Sequence, residues 1–82
     1  MGKISVRFFA RYAELAGCDS SAVNVSTPAT VADVIAKVRD VFPGTQAMPA
    51  RPLAALNRRQ VKLDASVTDG DEVALLPPLS GG

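Results

Sequence analysis

Histidine and tryptophan are absent from this sequence, and cysteine occurs once, at Cys18. Histidine is the side chain that most often transfers protons near neutral pH, and together with cysteine it forms the common zinc sites. A self-sufficient hydrolase or metalloenzyme is therefore not expected, and we predict no metal site. Because one cysteine cannot form an internal disulfide, we expect a reducing, cytoplasmic location. We expect a structural or incidental role for Cys18 rather than a reactive one.

Long apolar runs and an excess of one charge are also missing. Residues 1–7 contain no apolar stretch of the kind that a signal peptide needs, and no run approaches the roughly 20 residues of a membrane span. Nine basic and eight acidic residues give a formal net charge of +1, which provides no strong field for a polyanion. We therefore expect neither a membrane nor a nucleic acid as partner.

The sequence does contain enough apolar residues for one small core. They make up 48% of the 82 residues, and a chain of this length buries about 60–70% of the surface that it exposes when unfolded. Residues 3–9 alternate in polarity, which predicts a half-buried strand with Ile4, Val6 and Phe8 on one side.

The segment after this strand predicts a short helix and a second strand. Tyr12–Ala16 has the pattern of one or two helical turns, and Gly17 can end them in the left-handed conformation. Ala22–Val25 follows a polar turn and predicts a short strand. We expect the first two strands to pair, with the helical turns in their connection.

The clearest predicted element is a helix that begins after Thr30. The Thr30 hydroxyl can cap the helix, and Asp33 can return the bond. An apolar stripe at helical spacing consists of Val31, Val34, Ile35, Val38, Val41 and Phe42. Valine has only moderate helix propensity, so we expect burial against a sheet to stabilise this helix. Pro43-Gly44 should end it.

The second half of the chain predicts three more strands, Leu53–Leu56, Val61–Leu63 and Glu72–Leu76, after a loop over Pro49–Pro52. Two polar stretches between the strands are interpreted as turns. Arg58-Arg59, the only basic doublet, fits a solvated hairpin turn better than a phosphate site. Asp69-Gly70-Asp71 fits a turn in which Gly70 supplies a positive φ, since further calcium ligands are missing. The predicted order is β-β-α-β-β-β.

The end of the sequence is its most informative feature. Gly81-Gly82 follows Leu79-Ser80 and Pro77-Pro78, directly after the last predicted strand. Glycine has no side-chain chemistry, so a functional group there must be the terminal carboxylate. With a reference pKa of about 3.3–3.7, this carboxylate is an anion at pH 7 and needs activation before a nucleophile can attack it. Taken alone, such an ending is equally compatible with a frayed or linker-like terminus.

The predicted order, an α+β arrangement with one main helix packed across a mixed sheet, resembles the β-grasp (ubiquitin-like) fold. Phe8-Phe9-Ala10, the turn and strand at residues 69–74, and Pro77–Gly82 make the resemblance more specific. Together they resemble the small, sulfur-carrying subunit of molybdopterin synthase, a family of ubiquitin-like sulfur carriers. The resemblance extends from about Lys3 to Gly82 and implies a β-grasp domain over residues 1–78 with a flexible Leu-Ser-Gly-Gly tail over residues 79–82.

The resemblance implies a reaction for the tail. In that family, an ATP-dependent enzyme of the ubiquitin-activating type adenylates the terminal glycine. Sulfur from a persulfide then replaces AMP, and the resulting thiocarboxylate enters the synthase's large subunit, where it donates sulfur to the dithiolene of molybdopterin. For this chain, the implied reactive group is the Gly82 carboxylate, with Gly81, Ser80 and Leu79 inserted into the partner.

The same resemblance implies which functions this chain performs and which its partners perform. This chain is expected to bind no cofactor, because ATP is used by the activating partner. It is not expected to be an enzyme on its own, since the catalytic side chains should lie on the large subunit. Its expected partners are that large subunit and a ubiquitin-activating-type adenylyltransferase.

Strand alternation predicts a docking surface beside the root of the tail. If Phe8 and Leu75 face the helix, then Phe9 and Leu76 face away from it. First and last strands are central neighbours in a β-grasp sheet, so we expect these two residues to form an exposed apolar patch. Pro77 and Pro78 stiffen the chain at its edge.

Three alternatives remain open from the sequence. A sulfur carrier of the thiamine pathway shares the fold and the Gly-Gly end, although it is typically shorter and does not usually carry the Phe-Phe-Ala and Pro-Pro pair. A ubiquitin-like modifier would be joined through the same terminus to lysines of other proteins. A passive interaction domain would make no use of its glycines.

Overall fold

The computed structural model describes residues 1–78, so the predicted tail, Leu79, Ser80, Gly81 and Gly82, lies outside the described residues. The elements in chain order are β1 (Gly2–Phe8), α1 (Arg11–Ala16), β2 (Ser20–Val25), β3 (Ala29–Thr30), α2 (Val31–Val41), β4 (Leu53–Leu56), β5 (Arg59–Val61), β6 (Ser66–Val67) and β7 (Glu72–Leu76). A short 3-10 helix spans Pro43–Ala47 between α2 and β4. No helix in the described part is long and apolar enough to cross a membrane.

Five strands form one mixed sheet in the order β2-β1-β7-β4-β5. The central pair, β1 and β7, is parallel, with Phe8 opposite Leu75. The other neighbouring strands are antiparallel. The first and last strands are therefore central neighbours, as predicted, and the arrangement is the β-grasp fold.

Helix α2 covers one face of this sheet. Its N-terminus has a reciprocal cap, in which the Asp33 N–H donates to the Thr30 hydroxyl (3.3 Å) and the Thr30 N–H donates to the Asp33 carboxylate (2.8 Å). The predicted capping pair is thus confirmed. The core between helix and sheet contains Ile4, Val6, Phe8, Val23, Val31, Val34, Ile35, Val38, Val73 and Leu75, all almost fully buried. Each such side chain contributes about 1.5–3 kcal/mol gross from burial.

One predicted core residue is wrong. Val41 is 47% exposed, whereas Phe42 is half-buried and its ring meets Phe8 edge to face at 5.5 Å between centroids. At about 100° per residue, Val41 is rotated some 80° from Val31 and lies at the border of the apolar stripe, while Phe42 returns to its centre.

The segment from Pro43 to Pro52, for which the sequence predicted only a helix end and a loop, is an ordered part of the fold. Arg39 holds it, because its guanidinium donates to the carbonyl oxygens of Thr45 (3.0 Å), Met48 (3.3 Å) and Pro49 (2.6 Å). Gly44 packs against α1 so closely that a Cβ at this position would collide with the carbonyl oxygen of Leu15. The 3-10 helix therefore depends on the hydrogen bonds of Arg39 and on the absence of a Cβ at Gly44.

Strand boundaries differ from the prediction in four places. The first strand spans Gly2–Phe8 rather than residues 3–9. The second strand begins at Ser20 rather than Ala22, the strand predicted at Val61–Leu63 lies at Arg59–Val61, and the short pair β3 and β6 was not predicted. The Val31 and Ala32 N–H groups donate to Ala65 and Leu63 (2.9 Å each), so residues 63–65 bond to the start of α2 instead of extending β5. Pairs of two residues have no periodicity that a sequence could reveal.

Candidate functional site

The root of the predicted tail is the end of β7, in the centre of the sheet. Beyond Leu76 the chain continues through half-buried Pro77 and exposed Pro78. These prolines line a cleft of about 320 Å³ with Arg11, Tyr12, Leu15, Ala47 and Pro49. The four residues predicted to react or to enter a partner follow directly and lie outside the described range.

An apolar patch flanks this root on the face of the sheet opposite α2. The Phe9 N–H donates to the Leu75 carbonyl (3.4 Å), which places Phe9 beside half-buried Leu76, and Phe9 itself is 37% exposed. Leu76 pairs on its other side with Leu53, which is 38% exposed. We call Phe9, Leu53 and Leu76 the outer patch. Phe9 and Leu76 lie together on this face, as the alternation predicted.

Leu53 was missed by the sequence reasoning. It begins a four-residue strand, and only the pairing of Leu53 with Leu76 brings it to the patch. Ala74 and Ala55 pair in the next row of the same face, so two small side chains border the patch on that side. The strand at Leu53–Leu56 was predicted, but its register against β7 was not.

Arg7 was also missed. Its guanidinium carbon lies 5.2 Å from the centroid of the Phe9 ring, within the range of a cation–π interaction. Arg7 lies on the exposed side of β1, in the row of Ala74. The arginine therefore covers part of the Phe9 ring and gives the rim of the outer patch a positive charge.

The connection behind Phe9 turns sharply into α1. Ala10 has φ 50° and ψ −126°, a backbone conformation that favours glycine.

Tyr12, two residues further on, packs into the core, and its hydroxyl is buried without a hydrogen-bond partner among the described residues. Burial raises the pKa of Tyr12 above its ordinary value, and the nearby Arg11 and Arg39 partly oppose the increase.

The Asp69-Gly70-Asp71 turn lies at the opposite end of β7 and is built from bonds within the chain. The Asp69 carboxylate accepts from the Lys3 N–H (2.8 Å), and Asp71 accepts from the Asn57 side chain (3.0 Å) and the Thr68 N–H (2.8 Å). Gly70 has φ 90°, as predicted. These carboxylates act as structural acceptors, and residues 1–78 contain no cluster of three or more potential metal-ligating side chains.

Two other sequence interpretations concern residues away from the patch. Asn57 and Arg58 have φ of 50° and 73° in the tight turn between β4 and β5, so the basic doublet lies at a hairpin, as predicted. Cys18 is half-buried and packs against the core beyond α1. The structure brings neither of them to the root of the tail.

The fold and the position of its C-terminal strand define a ubiquitin-like protein of the β-grasp class. The model of the ThiS family matches residues 6–82, and the chain belongs to this family. Family membership confirms the resemblance to ubiquitin-like sulfur carriers.

Individual relatives agree with this assignment. The chain is 38% identical to the molybdopterin synthase sulfur carrier subunit of Escherichia coli, with 96% of this chain and 99% of the relative covered. It is 33% identical to the protein of the same name from Chlamydomonas reinhardtii, with 98% and 99% covered. Among solved structures, small archaeal modifier protein 1 of H. volcanii is similar with a TM-score of 0.88 at 25% identity, covering 96% of this chain and all of the other.

Proposed function

We propose that this chain is a sulfur carrier and the small subunit of a molybdopterin synthase. Its Gly82 carboxylate is adenylated by a ubiquitin-activating-type enzyme, and the terminal sulfur of a persulfide displaces AMP to give an acyl disulfide. A second thiol then cleaves the S–S bond, forming a disulfide with the former persulfide sulfur and releasing the thiocarboxylate, which is used to form the dithiolene of molybdopterin. The observation that carries this proposal is the Gly-Gly terminus that follows the central strand of a ThiS-family fold. The names of the two relatives, at 38% and 33% identity, favour molybdopterin over thiamine.

The position of the root supports delivery of the terminus into another protein. Residues 79–82 follow Pro78, and four residues reach at most about 14 Å when extended. That length is sufficient for Leu79, Ser80, Gly81 and Gly82 to enter a partner's pocket while the domain of residues 1–78 stays outside. Glycine at the last two positions leaves room beside the backbone for a nucleotide or a substrate.

The outer patch supports a docking role beside the tail. Phe9 and Leu53 are exposed next to half-buried Leu76, and Pro77 and Pro78 border the same region. A cluster of exposed apolar side chains of this kind is typical of an interaction surface. We assign this surface to the large subunit and, in alternation, to the activating enzyme. Catalytic side chains are then supplied by the large subunit, and ATP is bound by the activating partner.

Intact-mass spectrometry tests the reaction. Incubation of the full chain with ATP, the activating enzyme and a sulfur source should increase its mass by one oxygen-to-sulfur exchange. A variant that lacks Gly82 should show no increase and should fail to restore molybdopterin synthesis in a cell that lacks the small subunit. Cys18→Ala serves as control, since that thiol packs against the core, and it should be modified like the wild type. An active variant without Gly82 would contradict the proposal.

A protein modifier is the second candidate, because the solved structure with the TM-score of 0.88 is named a small archaeal modifier protein. The same incubation in a cell extract separates the two functions. Conjugates of higher mass, linked through Gly82 to lysines of other proteins, would favour the modifier. A thiocarboxylate without conjugates, together with co-purification of a synthase large subunit, would favour the sulfur carrier.

A further inference from the structure

The two edges of the five-stranded sheet differ in how they are protected against pairing. Strand β5, at one edge, has only three residues, and Arg58, Arg59 and Lys62 accompany it. Strand β2, at the other edge, has six residues, Ser-Ser-Ala-Val-Asn-Val, without a charge, a proline or a glycine. Natural proteins commonly block exposed edges with short strands, charges or proline. The edge formed by β5 has two of these devices and the edge formed by β2 has none.

The hydrogen bonds between β1 and β2 identify which backbone N–H and C=O groups of β2 point away from β1. The Phe8 N–H donates to the carbonyl of Asp19 directly opposite (2.8 Å), and the register continues through Val6 opposite Ser21 and Ile4 opposite Val23. In an antiparallel pair, hydrogen-bonded and non-hydrogen-bonded positions alternate. The N–H and C=O groups of Ser20, Ala22 and Asn24 therefore point away from β1. We call these three residues the β2 edge.

The surroundings leave the β2 edge accessible. The side chains of Ser20, Ala22 and Asn24 are all exposed and small. On the helix side, an open cleft of about 700 Å³ lies beside Asn24 and contains Asp33, Lys37 and Asp40 of α2. Within residues 1–78, no other strand pairs with this side of β2.

We propose that the β2 edge pairs with the β2 edge of a second copy of this chain. An antiparallel pairing with its twofold axis at Ala22 places Ala22 opposite Ala22 of the other copy and Ser20 opposite Asn24. Every outward N–H and C=O of the three residues then has a partner, and the Ser20 hydroxyl faces an amide side chain. On the helix-facing side, Ser21 lies opposite Val23, so that no charged side chains of β2 face each other.

A second copy is the expected partner because the β2 edge is complementary to itself. A charged or long side chain opposite itself would oppose the twofold arrangement, whereas the small uncharged residue Ala22 permits it. The pairing uses one short strand and buries far less surface than the roughly 1,200 Å² of a stable interface, so it should be weak. The test assumes a dissociation constant of about 0.2 mM. It leaves β7, β4 and the root of the tail uncovered, and it does not depend on the proposed function.

Amide hydrogen exchange, measured by NMR on the full chain, tests the proposal. Between about 20 µM and about 1 mM protein, exchange at Ser20, Ala22 and Asn24 should slow about threefold, as expected for a dissociation constant of about 0.2 mM. The amides of Ser21 and Val23 point toward β1 and should be protected to the same extent at both concentrations. Sedimentation velocity at the same concentrations should show the corresponding increase in mass.

Two matched variants make the test specific. Ala22→Lys places like charges opposite each other at the twofold axis and should abolish the concentration dependence, while unchanged protection at Val23 shows that the fold is intact. Gln60→Lys adds the same charge at an exposed position of β5 and should behave like the wild type. Exchange independent of concentration in the wild type, or dependence that survives in Ala22→Lys, would refute the pairing. Protection that requires a different protein would show that the occupant is not a second copy.

Discussion

The two faces of the central strands use neighbouring residues for opposite purposes. Leu75 on β7 is fully buried beneath α2, whereas the next residue, Leu76, is half-buried on the outer face beside Phe9 and Leu53. Phe8, the last residue of β1, is buried, and Phe9, which follows it, is exposed. The comparison teaches that one strand can stabilise the fold on one face and present an apolar patch on the other, since successive side chains point in opposite directions.

The sharpest test of this division is the pair Leu75→Ala and Leu76→Ala. Leu75→Ala removes a fully buried side chain and should lower the free energy of unfolding by about 2–5 kcal/mol. Leu76→Ala removes a half-buried side chain on the outer face and should cost clearly less. Urea unfolding at fixed pH measures both. Equal losses would mean that the outer face is as important to the fold as the inner one.

The outer patch is tested by Phe9→Ala. Phe9 is the exposed aromatic residue of the patch and is held by Arg7, so its removal should weaken binding to the synthase large subunit by more than about 1 kcal/mol, or fivefold in affinity. Titration calorimetry with the purified large subunit is the measurement. Val41→Ala, which alters an exposed apolar residue on α2, is the matched control and should bind normally. Unchanged affinity of Phe9→Ala would place the docking surface elsewhere.

A smaller effect is expected at Ala10, where the chain leaves the outer face and turns toward buried Tyr12. The positive φ of Ala10 costs about 1–3 kcal/mol in an L residue, and glycine avoids most of it. Ala10→Gly should therefore raise the free energy of unfolding by about 1 kcal/mol, despite the greater entropy of glycine in the unfolded chain. Ala13→Gly, inside α1, should lower it by about 0.5–1 kcal/mol. Thermal unfolding of both variants distinguishes relief of strain from a general effect of glycine.

The smallest effect concerns Asp71, at the end of β7 far from the outer patch. The hydrogen bond from the Asn57 side chain, followed by that from the Thr68 N–H, lowers the pKa of Asp71 below its usual value. Its contribution to stability is therefore present above the unfolded pKa of about 3.9 and is lost as the pH falls through the lower folded value. Asp71→Asn should destabilise the protein at pH 7 more than at pH 2.5. A difference that is constant across this range would contradict the assignment.

Much of the fold follows from local patterns in particular residues. Alternation in β1 predicted which side of Ile4, Val6 and Phe8 is buried, and Thr30 with Asp33 predicted the start of α2. These predictions succeeded because strand alternation and helix capping depend on residues close in sequence. Val41 failed because it lies at the border of the apolar stripe, where helical spacing alone does not decide whether a side chain is covered.

The residues of the candidate site likewise divide into those that local patterns predicted and those that they did not. Phe9 and Leu76 were predicted because each directly follows a buried strand residue, Phe8 or Leu75. Leu53 and Arg7 were not, because the first depends on the register between β4 and β7 and the second on the position of a long, exposed side chain over an aromatic ring. The contacts of Arg39 with three carbonyl groups had no sequence signal either, since they join residues that follow no periodic pattern.

The sequence by itself determined the β-grasp order of elements, the helix that covers the sheet and the Gly-Gly terminus, because periodicity, caps and terminal residues are local properties of the chain. Only the tertiary structure decided that Leu53 joins Phe9 and Leu76, that Arg7 covers the Phe9 ring, and that β2 is left as an open edge. These features arise from the register and order of strands distant in sequence, and both are fixed by burial of one common core rather than by any single segment.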